Sequence, residues 1–120
     1  MMDRLAAHKM ESLRLSDDPL NAARQLIVKQ LEDDGVELAG IAAQLNLSTR
    51  SLQRLLQEQG LSFTQLVDGV RRELAERYLA DATLDLTDIA FLLGFSEQSA
   101  FQRAFKRWMG KTPAAFRAGA

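Results

Sequence analysis

Ile41-Ala42, Leu45, Asn46 and Ser48 recur 48 positions later as Ile89-Ala90, Leu93, Gly94 and Ser96. After the serines the second copy carries one extra residue. The match then resumes, with Gln53-Arg54 on Gln102-Arg103 and Leu56 on Phe105, and each copy closes on a glycine, Gly60 or Gly110. Two copies of one supersecondary unit restrict the fold more tightly than composition can.

The second copy shows what the unit is. Ile89, Ala90, Leu92 and Leu93 make a short apolar helix, which Gly94-Phe95-Ser96 interrupts. Gly94 stands where a tight turn between helices needs positive φ, a conformation open to a residue without Cβ. Beyond it, Ala100, Phe101, Ala104, Phe105 and Trp108 recur at helical spacing and define one face. Gln98, Ser99, Gln102, Arg103 and Lys106 occupy the opposite face. Ser96 is placed to cap this second helix through its hydroxyl. Helix, glycine turn and a helix with an amide- and guanidinium-bearing outer face form a helix-turn-helix pattern. Gln and Arg are the side chains that make bidentate contacts with adenine and guanine edges in the major groove.

The first copy reads in the same way. Leu38, Ile41, Ala42 and Leu45 mark its first helix, in which Gly40 either permits close packing or is tolerated at about 1 kcal/mol relative to Ala. Asn46, which also visits the left-handed region readily, forms the turn. Ser48 caps a helix with Leu52, Leu55 and Leu56 inside and Thr49, Arg50, Gln53, Arg54 and Gln57 outside.

Between the copies, Phe63, Leu66, Val67, Val70, Leu74 and Tyr78 lie on one stripe of a long helix entered at Leu61-Ser62. Upstream, Asp17-Asp18-Pro19 is a helix start, with acidic residues at the positive end of the dipole and Pro in the first turn. Ala22, Ala23, Leu26, Ile27 and Leu31 continue that helix to Asp33-Asp34-Gly35. Asp85 is placed to cap the helix carrying Ile89. Gly110-Lys111-Thr112-Pro113 ends one helix and starts another, with Ala114, Ala115 and Phe116 in it and Arg117 just beyond. No strand-like alternation occurs. The expected fold is all-α, with about seven helices in two homeodomain-like helix-turn-helix subdomains. Residues 1–18 are a linker or lead, 19–60 the first subdomain, 61–80 the connecting helix and 81–120 the second subdomain.

Net charge is −1, low for a nucleic-acid binder. It is unevenly spread. Residues 1–47 hold 5 Lys/Arg against 8 Asp/Glu, and residues 48–120 hold 10 against 8. Any affinity for nucleic acid must therefore come from a local basic face. Cys is absent, which removes disulfide and thiolate chemistry and suits a reducing compartment. No apolar run approaches the roughly 20 residues of a membrane span, and the first 18 residues lack a signal-peptide core. A soluble, cytoplasmic protein is expected.

The stretch Ile89–Arg117 resembles the signature of the AraC/XylS family of bacterial transcription regulators. The shared positions are Ile89, Gly94-Phe95-Ser96, Ser99, Phe101, Arg103, Phe105-Lys106, Gly110, Pro113 and Arg117. Upstream, Leu52-Gln53-Arg54-Leu55, Gly60, Arg71, Ala75 and Leu79 are similar too, so that the likeness covers about residues 20–118. It implies a DNA-binding unit whose two helix-turn-helix motifs are bridged by a rigid helix, each second helix entering a major-groove segment on one face of duplex DNA. It also implies binding near promoters and, most often, activation through contact with RNA polymerase. Successive major-groove openings on one face lie roughly 34 Å apart, a separation that a long helix can hold. Family members mostly carry a sensing or dimerisation domain ahead of this unit. Either the chain is an excised C-terminal domain or it is one of the short members that act alone; the paired Met1-Met2 and the weak lead favour the first, with effector response then lying outside the chain.

By position, the first reading helix presents Arg50, Gln53, Arg54 and Gln57 to bases, and the second presents Gln98, Ser99, Gln102 and Arg103. Several relatives carry an aromatic at the position of Arg50, so a phosphate contact there is an equal alternative. Ser48, Thr49, Ser96, Lys106, Arg107, Lys111 and Thr112 are placed for phosphates. No cofactor, metal site or catalytic group is expected: nucleophile–base pairs, metal clusters and phosphate loops are missing from the sequence. A helical protein-interaction module is the competing class, supported by the weak charge.

Several features take a plain reading. The spacing of Phe95, Phe101, Phe105 and Trp108 makes them core and not base-stacking groups. His8 has no partners for a metal. Asp17-Asp18 and Asp33-Asp34 fit helix-end electrostatics. For Arg71-Arg72 a phosphate contact is the alternative, and pairing with Glu73 and Glu76 along a packed connecting helix is the favoured reading. Arg54 and Arg103 resist dismissal, since both copies place Gln-Arg at the same point on the solvent face.

Overall fold

A computed structural model of the chain describes residues 18–32 and 35–119. The expectations for the lead, for His8 and for Asp17 and Asp33-Asp34 lie outside these residues. The described chain forms seven helices, with no strand among the described residues: α1 Pro19–Gln30, α2 Leu38–Gln44, α3 Thr49–Glu58, α4 Phe63–Leu79, α5 Leu86–Leu92, α6 Gln98–Met109 and α7 Pro113–Gly119. The all-α expectation holds.

Most helix starts follow from local side-chain chemistry. The Asp18 carboxylate accepts from the amides of Leu20 and Asn21. Ser48 accepts from the Ser51 amide at 3.0 Å. Ser62 and Gln65 form a reciprocal capping box at the head of α4, as Asp85 and Asp88 do at the head of α5. Each such cap satisfies a backbone donor that the helix cannot, and contributes about 1 kcal/mol.

Ser96 does not cap α6. Glu97 holds the N-cap position, without a side-chain cap bond. The extra residue of the second copy is the reason: Ser48 immediately precedes α3, whereas Ser96 stands two residues before Gln98, outside the cap position.

The two inter-helix turns share one hydrogen-bond pattern. The Leu47 amide bonds to the Ala42 carbonyl at 2.9 Å, and the Phe95 amide bonds to the Ala90 carbonyl at 2.9 Å. These are the six-to-one bonds of a helix ending on a left-handed residue. That residue is Asn46 at φ 61° in the first unit and Gly94 at φ 89° in the second. The sequence repeat is thus a repeat of backbone geometry. Gly40 is not used for close packing, because a Cβ built there meets nothing within 4 Å.

α4 organises the rest. It packs against α1 along part of its length and against α5 and α7 farther on, while α2 pairs with α3 and α5 with α6. Its stripe of Leu66, Val67, Val70, Leu74, Ala75 and Leu79 is buried. Ile27, Leu31, Ile41, Leu52, Leu56, Ile89, Leu93, Phe101 and Phe105 join it in one continuous hydrophobic cluster. Phe63, Tyr78, Phe95 and Trp108 are partly buried against that cluster. After α4 the chain turns at Asp81, whose carboxylate accepts from the Thr83 hydroxyl at 2.6 Å and the Thr83 amide at 2.9 Å. Those bonds, led by the hydroxyl, hold its pKa below the ordinary carboxylate value. The turn's contribution is therefore present at neutral pH and is lost as pH falls through that lowered pKa.

Candidate nucleic-acid interface

α3 and α6 are amphipathic for the same reason. On α3, Leu52 and Leu56 are buried, while Thr49, Arg50, Gln53, Arg54 and Gln57 are all exposed. On α6, Phe101, Ala104 and Phe105 are buried, and Ser99, Arg103, Lys106 and Arg107 are exposed. Gln98 and Gln102 are half-buried. The Gln-Arg pair thus stands at the same place on both second helices, with each arginine in solvent. α6 carries Arg103, Lys106 and Arg107 and no acidic residue, whereas α3 carries Arg50 and Arg54 against Glu58. The basic face is stronger on the second unit.

Some of these side chains are already engaged. The Gln98 amide oxygen accepts from the Thr87 hydroxyl of α5 at 2.8 Å. This fixes the orientation of Gln98 at the start of α6 and uses one of its oxygen's two lone pairs. Ser48 donates its hydroxyl to that of Ser51 at 3.0 Å as well as capping α3. Thr112 accepts from the Ala115 amide at 3.1 Å and so caps α7. Lys111 lies 5.9 Å from the centre of the Phe116 ring. Exposed Ser96 and Thr49 complete the set of expected phosphate contacts.

Behind α6 runs a chain of aromatic contacts. Phe95 meets Phe101 at 5.9 Å and Trp108 at 6.3 Å, Phe101 meets Phe105 at 5.9 Å, and Phe105 meets Phe116 of α7 at 5.4 Å. These rings serve as core, as their spacing indicates. The arginines behind them play parts that sequence reasoning missed. Arg71 does not pair with Glu73 or Glu76. Its Nε donates to the Leu93 carbonyl at 3.0 Å, its Nη1 lies 3.5 Å from Asp68, and its guanidinium covers the Phe95 ring at 5.0 Å. Arg117 lies inside α7 and not beyond it. It donates to the carbonyls of Leu79, Tyr78 and Asp81, thereby satisfying the end of α4. One signal was available: Arg71 falls four residues after Val67 and three before Leu74, on the apolar stripe itself.

The family model described as a helix-turn-helix domain matches residues 41–119. The HTH-type transcriptional regulator VirS of Mycobacterium tuberculosis is 41% identical over 117 residues, covering 96% of this chain and 34% of that protein. The chain belongs to the AraC/XylS family. It spans about a third of the length of the curated relatives it matches first. Among solved structures, the C-terminal domain of AraT, a response regulator from Geobacillus stearothermophilus, is 34% identical. It superposes with a TM-score of 0.73 over 85% of each chain. The DNA-binding domain of the global transcriptional factor AdpA, solved in complex with a target DNA, is 26% identical at a TM-score of 0.68. That match covers 84% of this chain and 91% of that one. This AraC/XylS chain is a DNA-binding domain of transcription regulation, and α2–α3 and α5–α6 are its two helix-turn-helix units.

Proposed function

We propose that this domain reads duplex DNA with α3 and α6 in successive major-groove segments on one face of the helix, and that α4 sets their separation. The observation that carries the reading is the Gln-Arg pair at matched positions of the two second helices, with Arg54 and Arg103 exposed. Arg50, Gln53, Arg54 and Gln57 contact bases from α3, and Gln98, Ser99, Gln102 and Arg103 from α6. Guanine O6 and N7 suit the arginines, and adenine N6 and N7 suit the glutamines. Ser48, Thr49, Ser96, Lys106, Arg107, Lys111 and Thr112 hold phosphates, which fix register without reading sequence.

The role is one of binding and not of catalysis. It places the protein in the bacterial cytoplasm at promoter-proximal sites, with RNA polymerase as the partner in activation and with effector sensing assigned to a separate domain. No helix among the described residues is long and apolar enough to cross a membrane.

Selection of bound duplexes from a random pool tests the reading. Enrichment of a site with two short conserved blocks about one helical turn apart is expected. Recovery of no enriched sequence would remove it.

A further inference from the structure

We infer that Arg71 is a positioning residue that sets the angle between α3 and α6, and through it the half-site spacing the domain accepts. The inference rests on the two-helix reading proposed above. Three parts of the chain meet at this side chain. Its Nε donates to the carbonyl of Leu93, the last residue before the turn of the second unit. Its guanidinium lies over Phe95, the first residue after Gly94. Its Nη1 is paired with Asp68, one turn back on α4. Gly94, between the two gripped residues, faces the backbone of Leu31 at the C-cap of α1, with Arg71 Nη2 3.7 Å from where a Cβ would lie.

Gly94 thus brings the turn of the second unit against α1, which packs with α2 in the first unit, and Arg71 ties that same turn to the connecting helix. From Phe95 the grip passes to Trp108 and Phe101 on the inner side of α6. Farther along α4, Arg117 binds the carbonyls of Tyr78 and Leu79, and the neighbouring Phe116 meets Phe105 from the opposite end of the same aromatic chain. Arg117 holds α7 to α4, while Arg71 holds to α4 the turn that meets the first unit. An arginine suits this position because a guanidinium can donate, pair and stack at once, whereas an ammonium is a compact point charge.

The chain has no cysteine, so spin labels can be placed at will. Exposed Ala43 on α2 and exposed Ala114 on α7 report on the two units without touching the reading faces. Label-to-label distances are measured in the Ala43→Cys/Ala114→Cys protein and in its Arg71→Ala and Arg71→Lys derivatives. Thermal melts confirm cooperative folding in each. The distance distribution is expected to broaden roughly twofold in Arg71→Ala and less in Arg71→Lys, as one donor is kept. A distribution unchanged in both derivatives overturns the inference.

A parallel titration uses a duplex selected from a random pool, with one base pair inserted between its half-sites. The insertion costs the parent about a hundredfold in affinity, because both heads no longer seat together. In Arg71→Ala the loss shrinks below about tenfold. An undiminished loss in Arg71→Ala also overturns the inference. If the parent selects no duplex, the DNA reading fails, and the label distances still decide the role of Arg71.

Discussion

The carbonyl oxygen of Leu31 occupies the space that a Cβ at position 94 would need. Gly94 is therefore required twice, once by its φ of 89° and once by this neighbour. Asn46, its counterpart in the first unit, satisfies the same backbone turn at φ 61° while carrying a full side chain in solvent.

The contrast gives a sharp test. Gly94→Ala is expected to destabilise the domain by about 2 kcal/mol or more, measured by urea denaturation. Gly94→Asn separates the two causes. Asn tolerates the left-handed region, so backbone strain alone would make this change mild. Contact with Leu31 makes it nearly as damaging as Ala. Asn46→Gly in the equivalent turn stays within about 0.5 kcal/mol of the parent.

Phe105, on the inner face of α6, is fully buried between Phe101 and Phe116. Phe105→Ala is expected to lower stability by about 3–5 kcal/mol, in the range for a truncated core aromatic. A melt of this variant superimposable on that of the parent would contradict the core assignment.

Lys106 and Arg107 are exposed on the strongly basic α6. Affinity for DNA is expected to fall with salt, with a slope of about −0.9 in log–log form for each phosphate neutralised. Lys106→Ala reduces that slope by about one unit and weakens all duplexes alike. A flat salt series for the parent would favour a protein-interaction module.

Much of this was legible in the sequence because the signals were local. Asp18, Ser48, Ser62 and Asp85 sit next to the amides they cap, so their roles follow from position alone. The repeat exposed both turns, since Asn46 and Gly94 are the residues that left-handed backbone selects. Ser96 misled because one inserted residue moved the start of α6 past it. Arg71 misled for another reason. Glu73 and Glu76 are near it in sequence, but its acceptors are Asp68, one turn back on α4, and a backbone carbonyl 22 residues away. A carbonyl has no sequence signature, and helical periodicity cannot announce a contact made across the fold. The same limit hid the carbonyls of Tyr78, Leu79 and Asp81 bound by Arg117, and the hydroxyl of Thr87 that orients Gln98.

In the proposed reading, Arg54 and Arg103 are the side chains on which base recognition depends. Arg54→Ala and Arg103→Ala should each weaken binding to a selected site by about 1–3 kcal/mol in band-shift titrations, and relax preference only in their own half of the site.

The most direct test of two-headed reading is a map of guanine N7 protection along a selected duplex, for the parent and for those two variants. Two protected clusters are predicted, about one helical turn apart on the same face, with Arg54→Ala erasing one and Arg103→Ala the other. A single cluster, or the same cluster lost in both variants, would contradict the account.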